Sequence, residues 1–114
     1  MVDPKMAIWR KKIQEPYFSY LALGIKDVEG RLNRGDWKEM ENGDSLIIVS
    51  PHGIEVKTEI VRIYSYPTFN DLYRRFGDRL LPNEDPSIYY QWYTPEEEKR
   101  YGVVGVVIKK NLVF

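Results

Sequence analysis

The chain contains no cysteine and a single histidine, His52. Disulfides and thiolate metal sites are therefore excluded, and one chain cannot assemble a multi-histidine metal site. No apolar run approaches the roughly 20 residues that a membrane-spanning helix needs. The opening residues 1–5 lack the apolar core of a secretory signal. These absences lead us to expect a protein of the cytoplasm or nucleus, not secreted, with no cofactor and no membrane partner. An excess of positive charge is missing too: Lys and Arg number 17, and so do Asp and Glu. A neutral chain does not attract a polyanion through its overall field, so any electrostatic footprint must be local. Lys26, Arg31 and Arg34, with Arg10, Lys11 and Lys12, form the candidate cationic patch, while the acidic excess gathers in Glu39, Glu41 and Glu96 to Glu98. Such segregation suits a small ligand or a short single strand better than a long duplex.

At 114 residues, 43% hydrophobic and 30% charged, the sequence fits one globular domain spanning residues 1–114. Glycine and proline divide it into short elements. A strand is expected over 6–11 and a helix from Pro16 to a stop at Gly24. A strand follows through the charged segment after Gly24. Asn42-Gly43-Asp44 reads as a turn, 45–50 as a buried strand, and Ser50-Pro51-His52-Gly53 as the corner of a hairpin whose return strand runs over 54–66. That strand is long enough to bend and serve both edges of a barrel. Thr68 caps a helix that stops at Gly77. A short helix is expected over 87–92. Thr94, Pro95 and Glu97 form a capping box for the next helix. The final strand, 103–109, is apolar on both faces and so belongs inside the sheet.

The segment Gly24-Ile25-Lys26-Asp27-Val28-Glu29-Gly30-Arg31 carries the most information. In an extended strand, Asp27, Glu29 and Arg31 share one face and Val28 and Leu32 the other. Lys26 falls at a corner between helix and strand, where a scaffold fixes a side chain and leaves it accessible. On spacing alone the favoured reading is a solvated edge strand with a surface Glu/Arg pair contributing at most about 1 kcal/mol. The complete pattern, Gly-x-Lys-x-x-Glu-x-Arg, turns the reading toward a site, because it resembles the signature of ASCH domains, a branch of the PUA-like superfamily associated with RNA. A second block, Tyr90 and Tyr93-Thr94-Pro95-Glu96-Glu97-Glu98 followed by Tyr101-Gly102-Val103-Val104-Gly105-Val106, is similar to the closing segment of one ASCH subgroup. The similarity covers nearly the whole chain.

The resemblance implies an α+β fold, a PUA-like β-barrel of about five mostly antiparallel strands with helices packed around it. It also implies a ligand groove lined by Lys26, Glu29 and Arg31, with RNA or a nucleotide-like molecule as the ligand. In that role Lys26 and Arg31 would hold phosphate or a base carbonyl, and Glu29 would accept from a base amino group or orient Lys26. A lysine beside a carboxylate stays protonated, which suits an anion clamp. Tyr90 and Tyr93 are the stacking candidates. Trp92 reads as a packing residue, and Trp9 and Trp37 carry no functional signal. The alternative is a metal-independent hydrolase in the same groove, with Lys26 and Glu29 catalytic, acting on single-stranded RNA or on N4-acetylcytidine. The amidohydrolases of that second kind resemble this chain in the Gly-x-Lys corner but carry Thr where this sequence has Glu29. A carboxylate does not reproduce a hydroxyl's covalent role. A third class is a protein adaptor using 69–76 or the tyrosine cluster. His52 reads as a turn residue.

Overall fold

A computed structural model describes residues 6–111; the segment 1–5, read above for a secretory signal, lies outside them. The chain runs through β1 (Ile8–Lys12), α1 (Tyr17–Leu23), β2 (Val28–Leu32), α2 (Asp36–Glu39), β3 (Ser45–Val49) and β4 (Glu55–Tyr66). It continues through α3 (Phe69–Phe76), two 3₁₀ segments (Gly77–Arg79 and Pro86–Gln91), α4 (Pro95–Tyr101) and β5 (Val103–Lys110). The strands form one sheet in the order β1-β3-β4-β5-β2, with β1 parallel to β3 and the other neighbours antiparallel. This mixed sheet makes a half-barrel with the helices packed around it, the α+β, PUA-like arrangement expected. Among the described residues no helix is long and apolar enough to cross a membrane.

Local chemistry sets the element ends. Gly24, at φ 76°, closes α1 and sends its N–H back to the Leu21 and Tyr20 carbonyls, a left-handed geometry that glycine adopts without steric cost. The Thr68 side chain accepts from the Asp71 N–H at the start of α3, and Thr94 and Glu97 form the reciprocal capping box at the start of α4. In the β3–β4 corner, Ser50 Oγ accepts from the N–H groups of His52 and Ile54, which leaves His52 exposed in the turn. Buried Asp44 accepts from Ala7 N (3.0 Å), Glu41 N (3.0 Å) and Trp9 Nε1 (2.8 Å), tying β1 to the start of β3. Trp9 is thereby a structural tie.

The long β4 pairs with β3 through its first half and with β5 through its second. A register shift between Ile60 and Arg62 leaves Val61 as the bulged residue, which bends the strand. The apolar run of β5 has two destinations. Val104, Val106 and Ile108 join a core with Ile13, Phe18, Leu21, Leu46 and Ile48. Val103 and Val107 join Val28, Leu32, Phe69 and Leu72 in a second core on the opposite face. The one-turn helix α2 is not among the expected elements, because four residues are too few to show a helical period. The parallel β1–β3 pair is likewise absent from the sequence pattern, which encodes faces and not strand direction.

Buried Glu98 joins α4 to α3: it accepts from the Phe69 N–H (2.8 Å) and from the Tyr90 hydroxyl (2.9 and 3.1 Å). Replacing it by Ala strands the Phe69 N–H away from water, so Glu98→Ala is expected to lower stability by about 1–3 kcal/mol. A shift of the urea midpoint at constant m-value checks this; an unchanged midpoint contradicts it.

Candidate functional site

The β2–β5 register decides which side chains reach the site. Glu29 stands opposite Val106 and Arg31 opposite Val104, so both point to the face of the first core, while Val28 and Leu32 turn to the second. Asp27 precedes the strand and pairs at the surface with Arg79 (2.9 and 3.1 Å). Between α1 and β2 the N–H groups of Ile25 and Lys26 both donate to the Tyr20 carbonyl (2.9 and 3.1 Å). That forked bond turns the chain so that the Lys26 side chain runs inward.

Lys26 is among the largest fully buried side chains of the described residues, 2% exposed. Its Nζ donates to the carbonyls of Val28 and Leu80, 2.5 Å each, and lies 3.3 Å from Glu29 Oε1. An ammonium has three protons, and three acceptors surround this one. Lys26 therefore acts on anything in the site through the carboxylate it holds. Glu29 Oε2 receives Arg31 Nε (3.1 Å) and Nη2 (3.0 Å), and the Arg31 guanidinium lies 4.9 Å from the centre of the Trp37 ring. Burial pushes the Lys26 ammonium below the ordinary lysine value, against the pull of Glu29. Burial alone would raise Glu29, but Lys26 and Arg31 together hold it below the usual carboxylate range. The result is a buried carboxylate whose ionised form is favoured by Lys26 and Arg31 on either side.

This chain of charges forms part of the wall of a cavity of about 280 Å³, at the small end of the range for ligand pockets. Tyr17, Tyr89, Trp92 and Tyr93 supply aromatic walls, and Lys12 and Gln14 supply polar ones. Three cations, Lys12, Lys26 and Arg31, face one carboxylate. Tyr89 is seated where β2 has no side chain: a Cβ on Gly30 would lie 2.5 Å from the Tyr89 hydroxyl. The Tyr89 ring stacks on Phe69 at 3.9 Å, and Tyr93 stacks on the same ring at 5.4 Å. Burial pushes the Tyr89 and Tyr93 phenols up. It does the same for Tyr17, whose hydroxyl also donates to Glu84. All three phenols remain protonated at neutral pH. Trp92 stands edge-on to Tyr17 at 5.8 Å and is 41% exposed, at the open side of the cavity.

Of the residues singled out in the sequence, Lys26, Glu29, Arg31 and Tyr93 meet at this cavity. Tyr90 does not line it; its hydroxyl is turned to Glu98. Trp92, read as packing, lines the cavity, as does Lys12 of the candidate cationic patch, together with Tyr17, Tyr89 and Gln14, which carry no site reading in the sequence. One signal was available: Tyr89 and Tyr93 are four residues apart and share Phe69, whereas Tyr90 falls on the other side. Among the described residues no cluster of three or more His, Cys, Asp or Glu side chains is placed to hold a metal.

The model of the ASCH domain family matches residues 12–111. Among solved structures, the hypothetical protein PH0355 is 29% identical, with 91% of this chain and 99% of that one covered and a TM-score of 0.80. Protein PF0455 from Pyrococcus furiosus is 27% identical over 90% of this chain and 96% of that one, at a TM-score of 0.71. A ZmASCH mutant protein from Zymomonas mobilis shares the fold at 12% identity and a TM-score of 0.65, with 90% of this chain and 67% of that one covered. No curated protein matches the sequence. With the family model spanning most of its length, from the end of β1 to just past β5, the chain belongs to the ASCH domain family.

Proposed function

We propose that this protein binds RNA or a nucleotide-like ligand, with one base in the cavity beside Glu29. The observation that carries the reading is the ionised, buried carboxylate fixed between two cations in a cavity with aromatic walls. Each oxygen of Glu29 keeps lone-pair capacity beyond its bonds to Lys26 and Arg31 and accepts from the amino or imino N–H of a base. The protonated phenols of Tyr89 and Tyr93 donate to base carbonyls. Trp92, half open to solvent, offers a stacking face. The guanidinium protons of Arg31 not spent on Glu29, and the ammonium of Lys12, meet the phosphate. Lys26 is the positioning residue: it keeps Glu29 charged and aimed. Tyr90 serves the fold through Glu98. The link of ASCH domains to RNA agrees with this chemistry.

Titration with short single-stranded RNA at two salt concentrations tests the reading. Trp92→Ala, at an exposed position, is expected to weaken binding by about 1–3 kcal/mol with the melting temperature little changed. Arg31→Ala is expected to reduce the salt slope by about 0.7. Absence of binding to RNA and to mononucleotides alike would sink the proposal. RNA cleavage that disappears in Glu29→Gln would put the hydrolase in its place.

The depressed value of Glu29 makes a second, independent prediction. A carboxyl whose folded value lies below its unfolded one contributes stability that is fully present above the ordinary value of 4.5 and is lost as pH falls through the folded value. The denaturation midpoint of the protein should therefore exceed that of Glu29→Gln at neutral pH, with the gap closing as pH falls below 4.5. A gap that stays constant down to strongly acid pH rules out an ionised Glu29 in the fold.

A further inference from the structure

Beside the first cavity lies a second, more open groove of about 470 Å³, and the two share Arg31 and Tyr93 as a common wall. The second groove adds Lys11 and Arg34, so three cations face the single carboxylate of Asp36 in its lining. Both added cations are paired with carboxylates that solvent reaches. Lys11 pairs with Asp36 at 2.5 Å, the carboxylate half exposed, and Arg34 pairs with Glu97 at 2.9 Å, the guanidinium 46% exposed. Surface pairs of this kind are weak and exchange a carboxylate for a phosphate at little cost. The common wall is rigid by contrast. Glu29 holds one edge of Arg31, Trp37 lies against its face, and the Tyr93 phenol stands beside it.

We infer that the second groove is a phosphodiester subsite, and that the ligand is a strand of two or more nucleotides and not a free nucleotide. The inference rests on the base-binding reading of the first cavity. With a base beside Glu29, its backbone phosphate passes Arg31, which borders both spaces, and the adjoining nucleotide lies in the second groove with its phosphate between Lys11 and Arg34. A free mononucleotide leaves that groove empty. The neutral overall charge of the chain fits this arrangement, because the cations needed for two consecutive phosphates are gathered along one path of Lys12, Arg31, Lys11 and Arg34 and are not spread over the surface.

The test compares the four ribonucleoside 5′-monophosphates with oligo(A) and oligo(U) tetranucleotides by calorimetric or fluorescence titration, on wild type and on Lys11→Ala/Arg34→Ala. For wild type the tetranucleotide is expected to bind about tenfold or more tighter than its mononucleotide, as added charge-assisted contacts would give. In the double variant that ratio should fall to near one, with the salt slope for the tetranucleotide smaller by about 1.4. Equal affinity of mononucleotide and tetranucleotide in wild type overturns the subsite while leaving the first cavity intact. A length advantage that survives in the double variant also overturns it, since the adjoining nucleotide then lies elsewhere. Failure of every probe to bind removes the base-binding reading and the subsite with it. Circular dichroism of the double variant confirms that the comparison is made on folded protein.

Discussion

The buried line of charge from Lys26 through Glu29 to Arg31 is the constraint on which the site depends, and each member needs the others. A carboxylate as buried as Glu29 would take up a proton if it stood alone, and an ammonium as buried as that of Lys26 would lose one. Held 3.3 Å apart, with Arg31 closing the second oxygen, each opposes the effect of burial on the other. Removing one partner of such a set typically costs about 3–5 kcal/mol, because the other is left buried without its match. The Lys26 ammonium also bonds the Val28 carbonyl at the start of β2 and the Leu80 carbonyl 54 residues further along the chain. The same group that sets the charge of the cavity thereby fastens the edge strand to the segment after α3.

The second requirement is a place for the aromatic wall, and the sheet provides it by omission. Gly30 on β2 and Gly105 on β5 stand opposite each other in the ladder. Tyr89 fills the space over the first and Leu72 the space over the second, each within 2.5 Å of where a Cβ would be. Tyr89 then stacks on Phe69, whose N–H is anchored by Glu98. Helix α4, helix α3 and the 3₁₀ segment between them are thus linked through one buried carboxylate and one ring stack. The cavity wall inherits the rigidity of both cores. Charge on one face of β2 and glycine on the other are two halves of one arrangement, since alternation along a strand delivers each residue to its own side.

That alternation explains what the sequence made legible. The separation of Glu29 and Arg31 from Val28 and Leu32, the double burial of β5, and the caps at Gly24, Thr68 and Thr94 all follow from local rules, and the structure has them. So does the long, bent β4 that serves two neighbours. Burial depth was not legible. Lys26 reads as an accessible corner residue until the Leu80 carbonyl, supplied from far along the chain, arrives over it. The tyrosine cluster was visible as composition, but assigning its members needed the partners Phe69, Glu98 and Gly30, none of which is close in sequence. For that reason Tyr93 and Tyr90 part company, and Trp92, which resembles a core residue by type, ends half exposed beside Tyr17.

The proposed binding of a polyanion by a neutral chain depends on arrangement, and the fold supplies one. Lys11 and Lys12 are successive residues of β1, so they point to opposite sides of the strand, one toward each cavity. Arg31 leaves the opposite edge of the sheet and reaches the boundary between the two spaces, brought there by the curl of the half-barrel. Arg34 follows three residues later, beyond the end of β2. Three cations from the two edge strands and Arg34 just past β2 thus border the two adjoining spaces, while carboxylates such as Glu55 and Glu59 pair elsewhere with Arg10 and Lys109. Long-range steering by net charge is absent in such a protein, so the proposed affinity for a nucleotide strand rests on short-range fit. The half-barrel keeps β1 and β2 as the two edges of the sheet, and both contribute side chains to these spaces.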